Sequence, residues 1–241
     1  MNVLILGCSF SSGSYVFAEG RDDKEKLNSY IGWWNFVEYL KNHHKTIFSF
    51  SGMGWTAYNS LLYNLEENNK LSEYDICIIQ ETFEPRFSIL KPNVFQNIQP
   101  VYENKSVKHY NFSLADSILH DRRWYVERLN KNYNLNANDN FIIDYNKSSS
   151  KWPLICGSKC FSLSLLDKHN IPTYLFSAYD SLLVDCKFKK IIDLKITNVW
   201  LRMSKYHTYK WIPNITSRYA PHITIDGNKE IGKIINEHRI L

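Results

Sequence analysis

Two residues near opposite ends of the chain have the side-chain chemistry of a nucleophile and its base. Ser9 directly follows a short apolar run that closes at Gly7, and His222 shortly precedes the last apolar-periodic segment. A serine hydroxyl becomes an effective nucleophile when a nearby imidazole accepts its proton, and the same imidazole can later protonate the leaving group. The pair predicts acyl chemistry at Ser9, provided that the fold brings the two side chains together.

The elements predicted around these residues are those of an open, mainly parallel sheet. The apolar run at 3–6 ends in glycine, as buried parallel strands often do, and ligands of such sheets bind beyond the carboxyl ends of the strands. Further strands are predicted at 46–50, 74–80 and 172–178, and helices at 29–44, 55–65, 112–133, 155–169 and 225–238. Two simpler interpretations stay open: Ser9 as a turn serine bonded to nearby backbone, and His222 as a loop histidine that caps the last helix.

Short blocks in the right order resemble the SGNH (GDSL) hydrolase superfamily. The run Gly7-Cys8-Ser9 is similar to its first block, Gly-Asp-Ser, and residues 51–56 around Gly54 are similar to the second. The strand at 76–80 with the two residues after it occupies the place of the third block, and His222 resembles the histidine of the fifth. The blocks span the whole chain, although few residues carry them.

The resemblance implies a fold and a set of roles. The fold is an α/β three-layer α/β/α sandwich with a mainly parallel, flavodoxin-like sheet. Ser9 is then the nucleophile and His222 the base. The oxyanion hole is formed by the backbone N–H groups of Ser9 and Gly54 and by the hydroxyl of Thr82.

Three positions differ from the family pattern. Cys8 and Thr82 replace the Asp of the first block and the Asn of the third, and Tyr219 replaces the Asp three residues before His222. The threonine hydroxyl can still donate a hydrogen bond, whereas the acid that orients the imidazole is missing. Asp226, Glu81 and Glu84 are alternatives for that acid, and a Ser–His dyad is another.

Three residues near the ends of the second and third strands are predicted to contact substrate. They are Trp55, Glu81 and Arg86. The Arg86 guanidinium could bind a carboxylate or phosphate of the substrate, or it could pair with Glu81 or Glu84 and rigidify the loop. These two interpretations stay open.

The length of 241 residues suits one domain, 1–241, with two long insertions over the site at about 81–155 and 180–218. The expected function is a serine esterase acting on an O-acylated carbohydrate or a similar small ester. One alternative is an O-acyltransferase that passes the acyl group to a saccharide, with acyl-coenzyme A as a possible co-substrate. The other is a catalytically weak protein that binds a glycan or an anion.

Basic residues are concentrated in one stretch, between Lys187 and Arg218, with eight lysines and arginines against one acid, Asp193. Such a stretch favours an anionic group on a partner, and its alternative is a solvated basic face. A small-molecule or saccharide ester is the expected substrate, and nucleic acid is disfavoured as a partner.

The remaining expectations concern membrane spans, cellular location, disulfides and metal sites. The chain opens into a strand without a leader pattern and has no run of 18 apolar residues, so we expect no membrane span and a cytoplasmic location. Five scattered cysteines fit a reducing compartment better than a disulfide framework. Cys156 and Cys160 lack a second ligand pair, so neither a metal site nor a resident cofactor is predicted.

Overall fold

The structure of the chain, a computed structural model, describes residues 1–8, 11, 31–51, 54–81, 87–88, 99–100, 102–113, 117–118, 151–177, 188–196, 207–208, 222–223 and 225–238. At several of these positions, His222 among them, only the backbone is described. This part of the chain is a mixed α/β fold with a seven-stranded, mostly parallel sheet and three α-helices.

The elements are numbered here in chain order. The strands are β1 (Asn2–Cys8), β2 (His44–Ser51), β3 (Ile76–Glu81), β4 (Phe87–Ser88), β5 (Tyr102–Asn104), β6 (Val107–Ser113), β7 (Ser117–Ile118), β8 (Thr173–Ser177), β9 (Ile191–Asp193), β10 (His207–Thr208) and β11 (His222–Ile223). The helices are α1 (Trp55–Glu67), α2 (Lys151–Lys168) and α3 (Ile225–Glu237). Short 3-10 turns cover Trp33–Phe36, Glu38–Leu40 and Leu71–Glu73.

The large sheet has the strand order β5-β6-β2-β1-β3-β8-β9. Every neighbouring pair in it is parallel except β5 with β6, which is antiparallel at one edge. The central strands β1, β3 and β8 are buried almost throughout, because helices and turns cover the sheet and exclude water. The pairs β4–β7 and β10–β11 form two separate antiparallel ribbons.

Four predicted strands and three predicted helices are confirmed. The apolar runs at 3–6, 46–50, 74–80 and 172–178 correspond to β1, β2, β3 and β8, and the periodic segment at 55–65 corresponds to α1. The helix predicted at 155–169 is α2, which begins four residues earlier, at Lys151. Pro153 lies in its first turn, where the missing backbone N–H has no intrahelical partner to lose. The helix predicted at 225–238 is α3.

The helix predicted at 29–44 is wrong over 31–44, and residues 29–30 lie outside the described residues. Two 3-10 turns replace it, and β2 begins already at His44. Trp33 and Trp34 are both buried, whereas neighbours on an α-helix point about 100° apart and rarely share one buried face. Val37, between the two turns, is extended with φ −89° and ψ 111°, so a continuous helix is interrupted there.

The segment predicted as the first insertion contributes two strands, β5 and β6, to the main sheet. The interpretation of 81–111 as a long loop is wrong over β5 and β6, because β6 pairs in parallel with β2 and extends the main sheet. The helix predicted at 112–133 is wrong at its start, where β6 continues to Ser113 and β7 covers Ser117–Ile118; residues 114–116 and 119–133 lie outside the described residues. Pairing with β2 supplies backbone hydrogen bonds that override the local helical spacing. In the second insertion, β9 likewise pairs with β8 at the other edge.

Two smaller expectations are also corrected. His222 lies in the two-residue strand β11, paired with β10, rather than in a loop, because backbone pairing reaches almost to the start of α3. Cys160 is disulfide-bonded, whereas Cys8, Cys77 and Cys156 form no disulfide. The expectation of scattered thiols without a disulfide therefore fails at Cys160, because residues distant in sequence can meet in the fold.

Candidate active site

The carboxyl ends of three adjacent strands meet at one edge of the sheet. β1 lies between β2 and β3, and the chain leaves β1 first toward β2 and then returns to β3 on the other side. Such a reversal of strand order opens a crevice beyond the strand ends, which is where open α/β sheets bind ligands. Cys8, Ser51 and Glu81 are the last residues of these strands. Each leads into one of the first three sequence blocks.

A buried hydrogen-bond network lies directly after β1. The Ser11 hydroxyl donates to Gln80 Oε1 of β3 and accepts from the Trp33 indole Nε1 at 2.9 Å. The Trp34 indole Nε1 donates to the Ser11 carbonyl oxygen at 2.8 Å. Ser11 is completely buried. The network therefore fixes the backbone two residues beyond Ser9 against β3 and the first 3-10 turn.

Gly7 is required by the same network. A Cβ at position 7 would overlap the Ser11 hydroxyl and would lie 3.3 Å from Gln80 Oε1. The glycine of the first block is therefore explained by close approach of Ser11 to β1, since no larger residue leaves room for that hydroxyl.

α1 begins at this same edge. Gly54, its N-cap residue, is buried and extended, with φ −146° and ψ −170°, and as a glycine it has no side chain that could cap the helix. Backbone N–H groups at a helix start lack intrahelical acceptors and carry partial positive charge, so they suit an anionic oxygen. The position of Gly54 is therefore compatible with the donor role expected for it.

The end of β3 carries a buried ion pair. Glu81 Oε1 accepts from Lys159 Nζ at 2.5 Å and from the Trp55 indole Nε1 at 3.0 Å. The Lys159 ammonium also lies 5.2 Å from the centre of the Trp55 ring. The three side chains come from β3, α2 and α1 and are almost completely buried. Trp55 and Glu81, both expected to contact substrate, therefore contact each other.

Several predicted site residues lie outside the described residues. These are Ser9, Thr82, Glu84, Arg86 and Tyr219. The backbone of His222 is described in β11, opposite Thr208, and its side chain is not. The predicted contact between Ser9 and His222 therefore stays a prediction. Asp226, one candidate acid, is exposed in the first turn of α3 and pairs with Lys229 at 2.8 Å.

Sequence reasoning missed Ser11, Gln80 and Lys159. For Lys159 a signal existed, because it lies four residues after Ile155 and four before Leu163 and so shares their buried face of α2. A lysine on an apolar helix face predicts a buried partner. Ser11 and Gln80 carry no comparable local signal, because their bond joins residues 69 positions apart.

The basic stretch is described only at 188–196 and 207–208. Lys189 and Lys190 are exposed there, and Lys195 pairs with Asp193 at 2.9 Å. The described portion thus presents the exposed Lys189 and Lys190 beside β9. In the described ranges, no group of three histidine, cysteine or acidic side chains is arranged to bind a metal ion.

A cleft of about 510 Å³ lies away from this edge. Its floor includes Thr46 and Phe48 of β2 and Tyr110 of β6, and α1 contributes a wall through Leu61 and Leu65. It is lined by neither Gly54 nor Glu81. We place the candidate active site at the carboxyl ends of the strands, because the strand order reverses there and because Gly54, Trp55 and Glu81 lie there and do not line the cleft.

Comparison with known proteins adds no family assignment. No protein-family model matches the chain, and no curated protein matches its sequence.

None of the helices in the described ranges is both long enough and apolar enough to cross a bilayer.

Proposed function

We propose that this chain is a serine ester hydrolase of the SGNH type that acts on an O-acylated carbohydrate or a similar small ester through an acyl-enzyme on Ser9. The observation that supports this most is the order of the strand ends. β2, β1 and β3 lie side by side, and their carboxyl ends lead directly into residues 52–54, 9 and 82. The nucleophile and both further oxyanion donors of the proposal thus follow adjacent strands.

The proposal includes a three-layer α/β/α sandwich. Gln80 and Glu81 are consecutive in β3, and successive strand side chains point to opposite faces. Gln80 bonds to Ser11, beside the 3-10 turn, whereas Glu81 bonds to side chains of α1 and α2. These contacts support layers on both faces of the sheet. In this proposed arrangement, the parts of 81–155 and 180–218 that do not belong to the strands lie over the site.

In the proposed reaction, the Ser9 oxygen attacks the ester carbonyl carbon while His222 takes the hydroxyl proton. The resulting oxyanion accepts hydrogen bonds from the backbone N–H groups of Ser9 and Gly54 and from the Thr82 hydroxyl. Collapse of this intermediate breaks the ester bond, and His222 protonates the departing alcohol. Water then attacks the acyl-enzyme with His222 as base, which releases the acid and restores Ser9.

The support for His222 is proposed to be weaker than in a complete triad. Glu81 already accepts hydrogen bonds from Lys159 and Trp55 at one carboxylate oxygen. Asp226 is paired with Lys229 on the exposed side of α3. Glu84 lies outside the described residues and stays an alternative acid; we propose a Ser9–His222 dyad, in which a backbone carbonyl orients the ring and gives less charge stabilisation than an acid would.

Transfer of the acyl group is the second candidate function. The exposed Lys189 and Lys190, at the sheet edge beside β9, favour a phosphate-bearing donor such as acyl-coenzyme A or a phosphate-bearing acceptor. In that case, a saccharide hydroxyl rather than water attacks the acyl-enzyme. Incubation with labelled acetyl-coenzyme A and candidate glycans separates the two reactions, because a transferase labels the sugar and releases little acetate.

The test of the hydrolase is ester cleavage combined with active-site labelling. Wild type should release p-nitrophenol from p-nitrophenyl acetate and acetate from acetylated sugars, whereas Ser9→Ala should not. A fluorophosphonate probe should label wild type and lose most labelling in His222→Ala. Ser60→Ala is a matched control, because it removes only a hydroxyl that bonds within α1. Equal rates for wild type and Ser9→Ala, with no labelling, would instead indicate a protein that binds a glycan or anion without chemistry.

A further inference from the structure

Three buried polar side chains converge where β3 ends. Trp55 is 1% exposed, Glu81 3% and Lys159 5%, and they belong to α1, β3 and α2. Glu81 Oε1 accepts from both partners, at 3.0 Å from the Trp55 indole and 2.5 Å from the Lys159 ammonium. A charged pair so deeply buried loses its hydration, and its net effect on stability is often small compared with apolar side chains of similar volume. Stability alone therefore does not account for the pair, and the arrangement of the three side chains requires another explanation.

The geometry connects β3 to the start of α1. Trp55 is the first residue of α1 and directly follows Gly54, the N-cap residue. The indole bond therefore fixes the first turn of α1 relative to the end of β3. The Lys159 ammonium contacts the same carboxylate oxygen, so that its charge lies directly beside that of the acceptor.

We propose that Glu81 is a positioning residue that fixes the Gly54 backbone N–H, through Trp55, at the place where the oxyanion of the Ser9 acyl reaction develops. This inference rests on the proposed function. An oxyanion donor contributes to the rate only when its N–H is already oriented, and a displacement of about 1 Å can cost about 100-fold. The bond to the Trp55 indole supplies that orientation because Gly54, the N-cap residue, has no side chain that could cap α1.

A purely structural role makes a different prediction. If the cluster only joined α1 and α2 to the sheet, its loss would lower the unfolding midpoint, while folded enzyme would keep its turnover. A positioning role lowers kcat in folded enzyme and leaves KM nearly unchanged, because the oxyanion exists in the transition state and not in the bound ester.

The first experiment compares Trp55→Phe with Ser60→Ala on the purified full chain. Trp55→Phe keeps an aromatic ring and removes the indole donor, whereas Ser60→Ala removes a hydrogen bond internal to α1. With p-nitrophenyl acetate, at a temperature where circular dichroism shows all variants folded, we expect kcat of Trp55→Phe to fall about 10- to 100-fold, with KM within about twofold. Ser60→Ala should match wild type.

A second pair of variants separates the hydrogen bond from the ion pair. Glu81→Gln with Lys159→Met keeps an acceptor for the indole and removes both charges together, whereas Glu81→Met with Lys159→Met removes the acceptor as well. We expect kcat of the glutamine variant to be about tenfold above that of the methionine variant. This difference cannot come from the loss of the ion pair, which the two variants share.

Two outcomes overturn the inference in distinguishable ways. Ser9-dependent hydrolysis with Trp55→Phe at the wild-type kcat, or equal kcat for the two double variants, excludes the positioning role and leaves the proposed function intact. Activity that is unchanged in Ser9→Ala removes the proposed function and the positioning role with it.

Discussion

Gly7 and Ser11 approach each other so closely that the serine hydroxyl occupies the space a side chain at position 7 would need. The glycine ends the apolar run of β1, and the serine begins the described network that contacts Gln80 and two tryptophans. The first block of the sequence is thus constrained by packing two residues beyond the proposed nucleophile. The predictions below start from this relationship.

Substitution Gly7→Ala should destabilise the protein by about 1–3 kcal/mol, because the added methyl group overpacks the space taken by Ser11. Urea unfolding followed by tryptophan fluorescence measures the change. Gly157→Ala is the matched control: a Cβ there meets no atom within 4 Å, so the change should stabilise α2 by about 0.5–1 kcal/mol. Equal stability of Gly7→Ala and wild type would contradict the packing explanation.

Loss of the Ser11 hydroxyl should leave two buried groups without their partner. Ser11→Ala removes the acceptor of the Trp33 indole and the donor to Gln80, and we expect a cost of about 1–3 kcal/mol. A double-mutant cycle with Trp33→Phe measures the coupling, because both variants remove the same bond. We expect the double variant to be less destabilised than the sum of the two single ones; strict additivity would argue against the network.

Asn236 of α3 should stabilise the packing of α3 against the first two 3-10 turns. Its side-chain Nδ2 donates to the Phe36 carbonyl oxygen at 3.1 Å, and its Oδ1 accepts from the Glu38 backbone N–H at 2.9 Å. Asn236→Leu should lower stability by about 1–2 kcal/mol, since two hydrogen bonds between distant segments are lost. Glu237→Gln, next to it, is the control and should leave the urea midpoint within about 0.5 kcal/mol of wild type. A comparable loss in both variants would assign the effect to the helix end in general.

Alkaline stability should depend on Tyr74. Burial raises its pKa from 10.0 to about 12, while a hydrogen bond with Thr46 acts in the opposite direction. The unfolded phenol ionises first, so the contribution of Tyr74 to stability is complete below pH 10 and is lost as the pH rises through 12. The free energy of unfolding, measured from pH 9 to 12, should therefore fall less steeply in Tyr74→Phe. Tyr63, 52% exposed, offers the control Tyr63→Phe, which should keep the wild-type slope.

The local sequence determined which segments form the central sheet and its helices. The short apolar runs at 3–6 and 76–79 favour strands buried on both faces, and the spacing of apolar residues in α1 and α3 buries one helix face. The glycine near the end of the first strand and the order of the blocks also indicated the sheet edge at which Ser11, Gln80 and Glu81 lie. Each of these features depends on neighbours in the chain, so the sequence carries it directly.

The tertiary structure decided the contacts that join distant segments. Glu81 and Lys159 are 78 positions apart, and no local pattern selects them as partners. β6 lies between β5 and β2, and its pairing with β2 overrides the helical spacing predicted from residue 112 onward. Trp33 and Trp34 lie in a 3-10 turn rather than in an α-helix, because both indoles donate hydrogen bonds to Ser11. Partner choice across the sheet depends on the strand order, which long-range burial and hydrogen bonding determine together.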